Sequence, residues 1–263
     1  MASSLLALVK TLCLVLHVQS CACGEAEIIG GKKVKAHYSL PHMALLINTI
    51  EQPCCGGALL SSRWVLTAAH CSNISTVRLG VDNIQNSLTD KSVQVRKVSR
   101  HYPHCAFNKI THIHDLQLLM LDQEVNPTDT VKFLPLPYEM PEPQEGTKCM
   151  VAGWGAVNTS NLIMTDDLMS ANVTVIKRET CNSPTYYNSD PVITANMVCA
   201  GTVGENETEQ DACRGDSGGP LMCNGVQVGI TAFGRGCAKR NKPGVYILLS
   251  KEHLDWINWI MQT

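Results

Sequence analysis

Net charge and long apolar runs are both scarce in this chain. Lys and Arg number 21 against 23 Asp and Glu, a formal net charge of −2. Without a basic excess there is no field to concentrate a polyanion, so nucleic acid is not expected as a partner. The N-terminal apolar run, 12–18, is flanked by Lys10 and falls far short of the roughly 20 residues that span a bilayer, so no membrane anchor is expected. No later segment is apolar for long enough either. Heptads, repeated short motifs and long low-complexity tracts are missing as well.

Apolar material is plentiful. Hydrophobic residues make up 44% of 263 and charged residues only 17%, enough to offset the chain entropy lost on folding. The length suits one large all-β unit or two small domains. Segment 1–23, an apolar run followed by Ser20, Ala22 and Gly24, reads as a signal peptide. Thirteen cysteines, ten without Cys13, Cys21 and Cys23, point to an oxidising compartment. Sequons beginning at Asn73, Asn158, Asn172 and Asn206 agree with export.

Short β-rich runs at 43–47, 58–60, 93–98 and 226–230 alternate with turn-rich stretches, the pattern of antiparallel sheet. One clear helix is expected at the end, with Ser250 as N-cap and Leu254, Ile257, Ile260 and Met261 at helical spacing. Pro135, Pro137, Pro141 and Pro143 interrupt regular structure, and the chain divides there into halves 28–134 and 135–263.

The stretch Asp211-Ala-Cys213-Arg-Gly215-Asp216-Ser217-Gly-Gly219-Pro220 places a serine among glycines, where backbone can turn tightly and approach a substrate. A bland glycine turn and the nucleophile elbow of α/β-hydrolases both fit this segment alone. Chain order separates the enzyme readings, because elbow enzymes place acid and histidine after the serine. Here the histidine and acid candidates, His70 in Trp64-Val-Leu-Thr-Ala-Ala-His70-Cys71 and Asp115 in His114-Asp-Leu-Gln-Leu-Leu-Met-Leu121, precede it.

With Ile28-Ile-Gly-Gly31 and Gly153-Trp-Gly155 added, the chain resembles the chymotrypsin-like (S1) serine proteases from Ile28 onward. The resemblance implies an all-β fold of two antiparallel six-stranded β-barrels with a C-terminal helix. It also implies a serine endopeptidase without a cofactor. Ser217 would be the nucleophile, His70 its base and Asp115 the group that orients the imidazole. The N–H groups of Gly215 and Ser217 would form the oxyanion hole.

By the same resemblance, Ile28 is freed by a cut and its ammonium pairs with Asp216. Residues 24–27, ending in Glu27, form a short acidic activation peptide like that of granzymes, which a dipeptidyl peptidase trims. Asp211 would lie at the base of the specificity pocket, beside Ala212 and between walls left open by Gly234 and Gly244. Arginine or lysine before the cleaved bond is expected, arginine preferred because Ala212 offers no hydroxyl to an ammonium.

Segments 196–201, 231–234 and 244–250 resemble granzymes A and K, which implies a granule or secreted protease met by serpin-type inhibitors. Phe233 stands at a usual tryptophan and Ala232 at a usual serine beside the triad. The near-neutral charge departs from basic granzymes and speaks against storage on acidic proteoglycan. The implied disulfides are Cys55–Cys71, Cys149–Cys223, Cys181–Cys199 and Cys213–Cys237. Cys54 and Cys105 are left over, and Cys105 could link two chains as in granzyme A. His101, His104, Cys105, His112 and His114 could gather around zinc, but exposed loop histidines are the preferred reading and no metal is expected. Val81 stands where calcium-binding trypsins carry a carboxylate. A digestive or plasma trypsin-like protease and a catalytically inactive binding homologue are the competing functions.

Overall fold

A computed structural model describes residues 28, 30–34, 40–139, 141–156, 164–204 and 209–263. The expected leader and activation peptide, and the sequons at Asn158 and Asn206, lie outside them.

Among the described residues, thirteen strands and few helices make up the fold. A short β1 (Lys32–Lys33) leads to β2 (Met43–Asn48), β3 (Pro53–Ser61), β4 (Trp64–Thr67), β5 (Ile74–Leu79), β6 (Gln94–Pro103) and β7 (Gln117–Leu121). Strands β2 to β7 close into an antiparallel barrel in the order β2-β3-β4-β7-β6-β5. The second barrel holds β8 (Lys148–Gly153), β9 (Met169–Ile176), β10 (Met197–Gly201), β11 (Pro220–Cys223), β12 (Val226–Phe233) and β13 (Gly244–Leu248). It closes through β8, which pairs with both β9 and β11, while β1 adds to the free edge of β9. The proline-bearing stretch between β7 and β8 contains no strand or helix among its described residues.

Strand alternation explains how the barrels meet. On β2, Ala44 and Leu46 point into the first barrel's core. Met43, Leu45 and Ile47 lie on the opposite face, against Trp154 and Leu168 of the second barrel. A strand with two apolar faces loses the usual polar alternation because neither face meets water. By contrast, β6 alternates partly buried and exposed positions along much of its length, as a strand with one wet face does.

The short helix α1 (Arg178–Asn182) precedes β10, and α2 (Lys251–Met261) ends the fold. In α2, His253, Leu254, Ile257 and Ile260 are buried, three of them positions expected from the spacing. Ser250 is the N-cap residue, yet its hydroxyl makes no capping bond, and the Ser250 carbonyl starts the helix by accepting the Leu254 N–H. All four implied disulfides are formed, and among the described residues Cys54 and Cys105 have no disulfide partner. Cys149 and Cys223 face each other across the β8–β11 ladder.

Candidate active site

β4 leaves the first barrel at Thr67 and the chain turns to His70. Three ties hold this turn. The Cys55–Cys71 disulfide fastens it to β3, and the Gln117 side-chain amide donates to the carbonyls of Ala68 (2.8 Å) and Cys71 (2.7 Å). The third is Asp115, just before β7, which accepts the His70 backbone N–H on Oδ1 at 2.8 Å.

The other Asp115 oxygen lies 2.6 Å from His70 Nδ1 and 3.0 Å from His112 Nδ1. Asp115 is wholly buried. Burial pushes its carboxyl up, but the hydrogen bonds from His112 and His70, with the attraction of His70, outweigh it and hold the group below its usual range. An ionised carboxylate only accepts, so both Nδ1 atoms carry protons, and His70 Nε2 is left with its lone pair free. Nε2 is thus the His70 nitrogen with the capacity to accept a proton.

Ser217 comes from the second barrel. Its carbonyl accepts the Gly56 N–H of β3 at 2.8 Å and lies 3.7 Å from the sulfur of Cys71, the neighbour of His70. The serine is therefore brought to the His70 turn across the seam between barrels. Its Oγ makes no hydrogen bond among the described residues, and the N–H groups of Gly215 and Ser217 have no acceptor there either. Two unspent donors and an alcohol thus occupy one loop. Behind it, Asp216 is buried and accepts the N–H groups of Gly155 and Cys213, each at 2.8 Å. Burial raises its carboxyl to about 7, and the two backbone bonds pull it back only in part. Gly155 must lack a side chain, since a Cβ would come within 2.4 Å of the Asp216 carboxyl carbon.

A cavity of about 220 Å³ opens beside Ser217, lined among others by Ala212, Phe233, Gly234 and Gly244. Asp211 stands behind this lining rather than in it and is only 2% exposed. Its Oδ2 accepts the Ala238 N–H at 3.0 Å, whereas Oδ1 has no partner among the described residues. Burial, the largest influence, raises the Asp211 carboxyl to about 7, and the nearby backbone N–H groups pull it back only in part. A Cβ on Gly244 would press to 3.0 Å from Oδ1, so glycine keeps the way to that oxygen open. The Tyr246 hydroxyl is also buried without a partner, and the sequence drew no attention to it.

The histidine loop differs from its expected exposed character. His101 is exposed, but His104 is buried, and His112 and His114 are half-buried. His114 stacks on His104 with centroids 4.6 Å apart and puts its Nδ1 2.9 Å from His253 Nε2 on α2. The other His253 nitrogen lies 2.6 Å from the Leu248 carbonyl. A carbonyl only accepts, so Nδ1 of His253 carries the proton and Nε2 accepts from His114. A protonated His253 would set two N–H groups face to face. Burial accordingly lowers it to about 4.

His70, His112 and Asp115 offer donor atoms within 4.8 Å of one another, the set that could hold a cation. Both Nδ1 protons are already committed to the carboxylate, and a metal would have to displace them at a fully buried group. Cys105 is exposed, whereas burial raises the Cys54 thiol to about 11. No described helix is long and apolar enough to cross a membrane.

The neutral form of His253 is favoured by the fold, so its stabilisation is complete above its unfolded pKa near 6.5 and is lost as pH falls toward 4. The stability advantage of the native chain over His253→Gln should therefore shrink on acidification through that window. The expected narrowing is at most about 3 kcal/mol. Urea unfolding of both proteins at pH 7.5 and pH 4.5 measures it, and an unchanged gap contradicts the assignment.

Residues 28–257 match the protein-family model described as Trypsin. Granzyme A of Bos taurus is 41% identical over 230 residues, 88% of this chain and 86% of that protein. Kallikrein 1-related peptidase b11 of Mus musculus is 36% identical over 251 residues, 91% of this chain and 90% of its own length. Among solved structures, neuropsin, a serine protease expressed in the limbic system of mouse brain, superposes with a TM-score of 0.78 at 36% identity. The match spans 89% of this chain and all of that one.

Proposed function

The chain belongs to the trypsin family and is a serine endopeptidase, and from that premise we propose that His70, Asp115 and Ser217 carry its chemistry and that it cuts after arginine or lysine. The observation that carries the reading is the buried Asp115 carboxylate holding the His70 Nδ1–H at 2.6 Å, which leaves Nε2 as the base.

Ser217 Oγ attacks the substrate carbonyl as His70 Nε2 takes its proton, and Asp115 stabilises the imidazolium that results. The N–H groups of Gly215 and Ser217 receive the oxyanion, and the proton then passes from His70 to the leaving amine. An active centre of this completeness favours an enzyme over an inert binding homologue.

The unpartnered Oδ1 of Asp211 supports the basic preference. A guanidinium entering the cavity would supply the missing partner and draw the carboxyl back to its ionised form. With Ala212 offering no hydroxyl, the planar fork of arginine fits better than an ammonium. Ser217→Ala should abolish hydrolysis of an arginine ester. Asp211→Ser should lower kcat/KM for it by on the order of 10⁴ while sparing an apolar ester. Loss of both substrates alike in Asp211→Ser would refute the pocket assignment.

Maturation is proposed to cut before Ile28, by a dipeptidyl peptidase trimming 24–27 after export, toward a secreted or granule form opposed by serpin-type inhibitors. Ile28 is already fully buried in the second barrel's core, which supports its lodging there as a new N-terminus. Asp216 would then gain an ammonium. In the uncut chain its raised carboxyl costs stability progressively as pH rises from 3.8 through about 7. A form beginning at Ile28 should therefore exceed the uncut Ser217→Ala protein in stability at pH 8 by roughly 3–5 kcal/mol, and by less at pH 5. Calorimetry of the two forms decides it, and an equal gap at both values rejects the pairing.

The exposed, unpaired Cys105 supports a disulfide-linked pair of chains. A band at twice the chain mass on a non-reducing gel, absent in Cys105→Ser, is expected.

A further inference from the structure

We infer that His112 is a positioning residue for the reaction, holding the Asp115 carboxylate in register with His70 through its Nδ1–H; this rests on the catalytic reading of His70, Asp115 and Ser217.

A fully buried carboxylate is costly unless its lone pairs are occupied. Two of the three hydrogen bonds that Asp115 accepts come from His70 itself, from its backbone N–H and its Nδ1. A carboxylate held only by the residue it must orient has no independent reference. His112 provides one, with Nδ1 3.0 Å from the same Oδ2 that receives His70. Ala232 of β12, which stands where the resembling family usually has a serine, is buried and its methyl has no hydrogen to donate.

The placement of His112 is itself held on several sides. Its backbone is left-handed, with φ of 55°, and that of His114 is too, at 53°. Non-glycine residues seldom adopt this region, and they keep it where surrounding contacts over-determine it. Phe233 of β12 stacks on the His112 ring at 4.8 Å and 29°, and the His70 ring meets it edge-on at 5.8 Å and 83°. The turn thus aims His112 at Asp115 while His114, two residues on, is bonded to α2. The ionisable groups facing His112 are Asp115 and His70, and β12 presents the apolar Phe233.

A substrate-lining role alone would place His112 near the cleft without any effect on Asp115. The discriminating experiment uses the mature enzyme and a single-residue arginine ester, which fills the specificity cavity without extending to neighbouring subsites. His112→Ala should lower kcat about tenfold, equivalent to about 1.4 kcal/mol, with KM little changed. It should also broaden the downfield proton resonance of the His70–Asp115 hydrogen bond. His112→Asn, whose amide N–H can stand in for Nδ1–H, should restore kcat to within about threefold of the native value and sharpen the resonance. Native kcat and resonance in His112→Ala, or equal losses in both variants, would overturn the inference. Ser217→Ala, assayed alongside, separates the two levels. If it is inactive while His112→Ala behaves natively, only the role of His112 fails. If it still turns over the ester, the catalytic reading itself is wrong.

Discussion

Asp115 carries a negative charge where water does not reach, and the architecture of the site follows from satisfying it. The carboxylate accepts from His70 twice and from His112 once, and these bonds hold it ionised against the pull of burial. Because it accepts and cannot donate, it dictates which nitrogen of His70 is protonated and so which keeps its lone pair free. The surrounding ties serve that geometry. Gln117 and the Cys55–Cys71 disulfide keep the His70 turn from relaxing away from the acid.

Two further buried carboxylates meet the same physics with a different outcome. Asp216 and Asp211 have backbone donors but, among the described residues, no cationic partner, and burial raises each to about 7. A group in that condition gains from the arrival of a positive charge. The proposed partners differ in origin, the chain's own new N-terminus for Asp216 and the side chain of a substrate for Asp211. One principle therefore links activation to specificity: each buried acid without a cation stabilises whatever supplies one.

The two barrels make this economical because their apolar faces meet at a seam rather than through a linker. Alternate residues of β2 pack in opposite directions, Leu46 into its own barrel and Leu45 toward Trp154 of the other. The Gly56 N–H of β3 then reaches the Ser217 carbonyl across the seam. Packing between distant parts of the chain thus fixes where Ser217 stands relative to the His70 turn.

Much of this was legible in the residues themselves. The order of His70, Asp115 and Ser217 and the glycine-rich surround of the serine depend on residue type and succession, which a linear chain records directly. The alternation of short β-rich runs likewise follows from the two-residue period of a strand, and the terminal helix from its own spacing. The residues name Asp211 as a pocket base, but its 2% exposure and its place behind the lining depend on how distant segments pack around it. His112, His114 and His253 looked like a loose surface set and a helix residue. Which of them reaches a buried carboxylate depends on two left-handed residues and on a helix whose His253 lies 139 positions from His114. Sequence by itself determined the chemical groups and their order. Only the tertiary structure decided who donates to Asp115, because a hydrogen bond forms between neighbours in space and its strength depends on the water excluded around it.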